Sequence, residues 1–341
     1  MRSRPRVARL ALLVAHVVHI GVLSSVVAQA PGEPKIVFSS GRAGAFVEIC
    51  VMDPDGGRVR ALTGLGGGAG SPRWAPDGRK IAFTWAHLGD RKTRNIYVMQ
   101  ADGAEATNLT DDVGTFNRSP TWSPNGRHIA YASSRPGDVR ADIYVMDADG
   151  RNVRRLTPDP MFDDGGNGSP AWSPDGSEIA FSSSRGPLTT EVFAVSPDGR
   201  RVRQITDDEM WNPSARWSPD GRELILESSP TAAPPQQTDI YVVDADGGNR
   251  TRLVEHPHRD QTPAWSPDGS QIVFGRFWVP VDSDVYVVDR DGGPARNLTR
   301  HPARDWGGDW FDPAALSVSS FGKRGVPWGW LKQMRATHVG R

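Results

Sequence analysis

Short apolar runs recur along the chain, each bounded by Pro, Asp, Gly or Ser. One unit shows the elements this pattern predicts. Ala171-Trp172-Ser173 reads as a short first strand and Pro174-Asp175-Gly176 as a hairpin turn, because proline presets φ and Asp-Gly tolerates left-handed dihedrals. Glu178-Ile179-Ala180-Phe181-Ser182 is mostly apolar, as a second strand covered on both faces should be. Glu191 to Val195 is a third strand, closed by Pro197-Asp198-Gly199. Arg201 to Thr206 alternates polar and apolar residues, as an outer strand with one wet face does.

The unit repeats. Ser71-Pro72-Arg73-Trp74-Ala75-Pro76-Asp77-Gly78 returns around Trp122, Trp172, Trp217 and Trp265, and in worn form around Trp310, in steps of 48, 50, 45, 48 and 45 residues. That period, with turn signals inside each unit, belongs to four-stranded propeller blades. The prolines flanking each Trp fit an edge strand facing a central channel, and the Trp reads as a wedge between neighbouring blades. The chain opens on a second-strand element, Ile36-Val37-Phe38-Ser39, and its last Trp phrase has no complete blade after it. The expectation is therefore an all-β, six-bladed β-propeller over residues 34–320. Its blades are four-stranded and antiparallel, and it is closed by an inner strand around Trp310 joining the N-terminal blade, which removes an open edge.

Composition refines this picture at the two ends. Arg2, Arg4, Arg6 and Arg9 precede an apolar run from Leu10 to Ala28, which reads as a signal peptide over residues 1–28, cleaved after Ala28. The chain is then exported, to the periplasm or beyond. The whole sequence holds 40 basic and 40 acidic residues, with no global field to attract nucleic acid. The tail, 321–341, carries Lys323, Arg324, Lys332, Arg335 and Arg341 with Trp328, Trp330, Leu331 and Met334. It is a candidate for contact with an anionic membrane surface. Cys50 is the lone cysteine, expected as a buried hydrophobe in a strand.

The Trp-Ser-Pro-Asp-Gly phrase and the run Asp142-Ile143-Tyr144-Val145-Met146-Asp147-Ala148-Asp149-Gly150 resemble the WD-like repeats of the TolB propeller family over roughly Pro34 to Ser320. The resemblance implies a monomeric, non-catalytic periplasmic scaffold that binds envelope proteins, a peptidoglycan-associated lipoprotein among them. TolB carries an α/β domain ahead of its propeller; here only Pro31-Gly32-Glu33 stands between leader and ring.

Candidate chemistry is sparse. The Asp-x-Asp-Gly runs lack the further oxygen ligands and terminal Glu of a calcium loop, so tight turns explain them and neither metal nor cofactor is expected. A propeller-capped serine peptidase needs a Gly-x-Ser-x-Gly elbow, which does not occur. No catalytic residue is assigned. Residues that differ from blade to blade point to function instead. Loops linking second to third strands, and fourth strands to the next blade, open on one face. They carry Trp85, His87, Arg91, Arg135, Arg185, Trp211, His256, His258, Arg276, Trp278 and Trp306. Trp and Arg dominate protein-binding hot spots, so this face is the expected partner surface. The alternative is a carbohydrate-binding or polysaccharide-cleaving propeller that stacks sugars on the same tryptophans.

Overall fold

The computed structural model describes residues 29–319 apart from 45, 65, 88–92, 112–113, 139, 158–165, 185–188, 231–236 and 279–281. The expected leader, the basic tail from Phe321, Arg91 and Arg185 lie outside the described residues.

The described residues are almost entirely β. Sheet A joins β1 (Lys35–Ser40), β2 (Glu48–Met52) and β3 (Arg60–Ala61), and β1 also pairs antiparallel with β24 (Asp305–Phe311), bringing Ile36 opposite Trp310. Sheet B runs through β4 (Gly68–Trp74), β5 (Lys80–Ala86), β6 (Asn95–Gln100) and β7 (Thr107–Asn108). Sheet C runs through β8 (Phe116–Trp122), β9 (His128–Ser134), β10 (Asp142–Asp147) and β11 (Arg154–Arg155). Sheet D has two antiparallel halves. The first is β12 (Asn167–Trp172), β13 (Ile179–Ser184), β14 (Thr190–Val195) and β15 (Val202–Gln204). The second is β16 (Met210–Trp217), β17 (Glu223–Pro230), β18 (Asp239–Asp244) and β19 (Thr251–Val254). The halves meet at one parallel pair, Thr190 with Trp211. Sheet E holds β20 (Arg259–Trp265), β21 (Gln271–Trp278), β22 (Asp282–Asp289) and β23 (Arg296–Asn297), and helix α1 (Pro313–Ser319) follows β24.

The first strands are longer than the Trp phrase alone predicts: β12 starts at Asn167, not Ala171. A bulge explains both the length and the proline. Ser71, Ser119, Ser169 and Thr262, each just before a proline, have φ between 47° and 54°, and the ladder register slips there. The bulge removes from the ladder a residue that has no N–H to give. Outer strands are shorter than expected, with β15 covering only Val202–Gln204.

Apolar clusters join each unit to the next. Val37 and Val51 of sheet A pack on Ile81 and Phe83 of sheet B, with Trp74 at the seam. Equivalent clusters hold B to C around Trp122, C to D around Trp172, the halves of D around Trp217, and D to E around Trp265. Ile36 and Phe38 of sheet A meet Val273 and Val285 of sheet E beside Trp310. The tryptophans thus act as the expected wedges, and burial of such large rings is the main stabilising term at each seam. Cys50 is 3% exposed, within β2.

The turns explain why the phrases repeat. In Ser173-Pro174-Asp175-Gly176 the Ser173 hydroxyl donates to Asp175 at 2.6 Å and accepts the Glu178 amide at 3.0 Å, while Gly176 takes φ 74°. The Asp-Gly turns after third strands have a packing reason as well. A Cβ on Gly247 would stand 1.7 Å from the Ile205 carbonyl oxygen of the preceding unit, and one on Gly56 would stand 2.2 Å from that of Leu298. Both glycines have φ above 90°. Backbone approach therefore accounts for the glycine at these two turns.

Candidate functional site

All units run in the same sense, so the turns joining first to second strands gather on one face and the loops joining second to third strands on the other. On the first face the turns surround a funnel of about 790 Å³. Trp74, Trp122, Trp172, Trp217, Trp265 and Trp310 line it, and Ala315 and Leu316 of α1 lie at its wall. The indole N–H groups of Trp74, Trp122, Trp172 and Trp217 find no acceptor among the described residues.

Two carboxyl groups near the funnel and the seams have unusual environments. Asp309 of β24 accepts the Trp74 amide at 2.7 Å and lies 3.9 Å from the Arg216 guanidinium. Burial nevertheless pushes its carboxyl up to about 6, against the opposing pull of Arg73. Glu227 of β17 is 4% exposed and accepts the Thr262 amide at 3.1 Å, across the seam to sheet E. Burial raises its carboxyl to about 7.

The second face holds the sequence-selected residues, in separate groups rather than one site. Trp85 meets Tyr97 and His87 edge-on, at 5.2 and 5.3 Å between ring centroids. In sheet E, His258 lies 5.0 Å from His256 and 5.9 Å from Trp278, which in turn packs on Tyr286. These two aromatic groups occupy the sheets on either side of sheet A. Arg135 stands alone over Tyr144, at 4.6 Å. Trp211 joins the halves of sheet D, and Trp306 pairs with Ser39 at the sheet A seam. Arg276 departs from expectation. It is 6% exposed, and its guanidinium is committed to Asp260 through bonds of 2.7 and 2.8 Å and to the Tyr286 face. Its role is to hold the patch together.

At the seams of this face a second repeated device appears. A threonine two residues beyond the fourth strand accepts the amide that follows an acid near the start of the third strand and donates to that acid's carboxylate. Thr157 thus bonds Ile143 N and Asp142, and Thr299 bonds Val285 N and Asp284. Thr63 with Glu48 and Thr206 with Glu191 repeat it. Sheet B differs, because Asn95 takes the acid's place opposite Thr110. Beside it, Arg94 and Arg118 approach the Phe116 ring, their guanidinium carbons 4.6 and 5.8 Å from its centroid. Sequence reasoning missed this corner. Its signal was one column in which Glu48, Asp142, Glu191, Asp239 and Asp284 face a single Asn95.

Residues 30–161 match the family model of the TolB beta propeller domain. The crystal structure of TolB from Acinetobacter baumannii superposes with a TM-score of 0.69 at 22% identity, covering 82% of this chain and 68% of that one. The chain has a β-propeller fold like that of TolB. A putative TolB from Agrobacterium tumefaciens gives a TM-score of 0.62 at 22% identity, over 81% of this chain and 90% of that one. The TolB-like propeller is also similar to a chain of Kuenenia stuttgartiensis hydrazine synthase, with a TM-score of 0.66 at 17% identity over 83% of this chain and 47% of that one. No curated protein matches the sequence. Proteins as different as these share one architecture, so the role of this chain must be argued from its own faces.

Proposed function

We propose that this chain is an exported, non-catalytic scaffold of the cell envelope: a closed six-bladed propeller that binds a protein partner through the loop face. The observation that carries this reading is the pair of aromatic groups on that face, Trp85–His87–Tyr97 and His256–His258–Trp278–Tyr286. Nothing in the repeat requires them, since the position of Trp85 is held by Ser40, Ser133, Ser183 and Ser228 in four other units. Half-buried aromatic side chains on a rigid frame supply apolar contact area at low ordering cost. The six-blade count rests on six apolar seams and on the β24–β1 pairing, and the partner class is an envelope protein. Affinity capture from envelope extract tests the reading, using the chain from Gln29 and a Trp85→Ala/Trp211→Ala/Trp278→Ala variant. A protein retained by the parent and lost by the folded variant is expected; equal retention by both overturns the loop face as the partner surface.

One observation favours a second reading. Six tryptophans line the funnel, and indole faces suit stacking against a hydroxyl-rich ligand such as a glycan. Soluble glycan that raises the melting temperature while no envelope protein is retained would support this reading over the first.

A further inference from the structure

Carboxylates recur at the loop-face seams, with one exception. Each seam offers two positions for a carboxylate: one within the first three residues of a third strand, and one within the first three residues of the next unit's first strand. Around the molecule these pairs are Glu48 with Ala69, Asp142 with Asn167, Glu191 with Asn212, Asp239 with Asp260, and Asp284 with Asp305. The seam between sheets B and C alone carries two neutral residues, Asn95 and Asn117.

Five other arginines on this face hold carboxylates. Arg42 holds Asp305, Arg155 holds Asp142, Arg252 holds Asp239, Arg276 holds Asp260, and Arg250 holds Asp208. Arg94 and Arg118 sit at the seam with no carboxylate, and neither has an ion-pair partner among the described residues. Their backbones lock them there: Arg94 bridges Phe116, donates its amide to Thr115 and accepts that of Asn117, and Arg118 pairs with Ala132. Gly168 of the next unit leaves room for Arg118, whose Nη2 lies 3.6 Å from where a Cβ would stand. Burial lowers the pKa of both guanidinium groups, and the charge of Arg94 lowers that of Arg118 further. Two like charges held side by side on an aromatic face, with the compensating acid missing, are stabilised by an anion.

We propose that the corner formed by Arg94, Phe116 and Arg118 is an oxyanion site that takes a carboxylate or phosphate group at the loop-face mouth. The site deepens the partner-binding reading, on which its biological use rests: it would receive an acidic group of the partner. Binding of a small anion is independent of that use, so the two can fail separately.

The test is isothermal titration calorimetry at low salt with two probes, inorganic phosphate and a short Glu-rich peptide. It uses the parent chain, an Arg94→Gln/Arg118→Gln variant and Asn95→Asp. The last keeps both arginines and restores the carboxylate that other seams carry, so loss of folding does not confound it; a melting temperature at or above the parent's confirms that it folds. Saturable binding to the parent, weakened about tenfold in both variants, is expected for loss of a charge-assisted bond pair. Tighter binding of the peptide than of phosphate assigns the site to an acidic protein partner, and the reverse assigns it to a free anion. Absence of saturable binding by either probe, or equal affinity in all three proteins, overturns the proposal.

Discussion

The two faces of this molecule are built from the same strands yet follow opposite rules. On the funnel face three units share the same hydroxyl–aspartate turn, five the same left-handed glycine and all six the wedge tryptophan. On the loop face the frame repeats but its occupants change. A serine becomes Trp85 or Arg276, a carboxylate becomes Asn95, and aromatic groups gather in sheets B and E. Repetition marks positions where backbone approach and blade packing leave no choice. Variation marks positions where the frame tolerates any residue that fits, and there recognition can be encoded.

The strongest way to break this contrast is at a repeated turn. Gly247→Ala should destabilise the protein by at least about 4 kcal/mol in urea unfolding, since a methyl group at positive φ meets the Ile205 carbonyl directly. A loss below about 1 kcal/mol would show that the turn adapts and that its repetition has another cause.

Glu227 sharpens the contrast next, because an acid occupies a position held by Ser39, Thr84, Ala132, Ser182 and Gly275 elsewhere. Its folded pKa of about 7 exceeds the ordinary 4.5, so the native state keeps a proton that the unfolded chain has already released. Stability therefore falls as pH rises from about 4.5 to about 7, by roughly 3 kcal/mol from this group, and stays at the lower value above that. Glu227→Gln should remove this slope. It should be the more stable protein at pH 8 by up to about 3 kcal/mol and within about 1 kcal/mol of the parent at pH 5. Parallel pH profiles for the two would refute the assignment.

The smallest effect belongs to the loop-face surface. His87 is exposed at the end of its aromatic group, and His87→Ala should leave the unfolding free energy within about 0.5 kcal/mol of the parent. Its consequence should appear in partner retention alone. A stability loss comparable to that of a funnel-face turn would mean that the loop face is structural too.

Most of the architecture was legible before any coordinates. Apolar spacing marked the strands, Pro-Asp-Gly and Asp-Gly marked the turns, and the Trp period located the seams, because each feature is a local constraint repeated often enough to be recognised. The last strand, too, could be assigned to the first sheet by counting pieces, since an unpaired edge is costly wherever it occurs. The bulge before each proline was not legible, because its register depends on the partner strand.

The site was legible only in part. Trp85, His87, His256, His258 and Trp278 were legible as candidates because aromatic and histidine residues stand out against a repeating background. Arg276 looked like their equal, but its burial with Asp260 depends on which strand lies opposite, and sequence spacing does not state that. The Arg94–Phe116–Arg118 corner was missed for the same reason: its meaning lies in a carboxylate that is absent from a seam, and a seam joins residues of different units. The sequence by itself determined the repeating frame, whose energetics are local to each turn and strand. Only the tertiary structure decided which charges meet, because Coulomb pairing and burial depend on distances between units that no local pattern encodes.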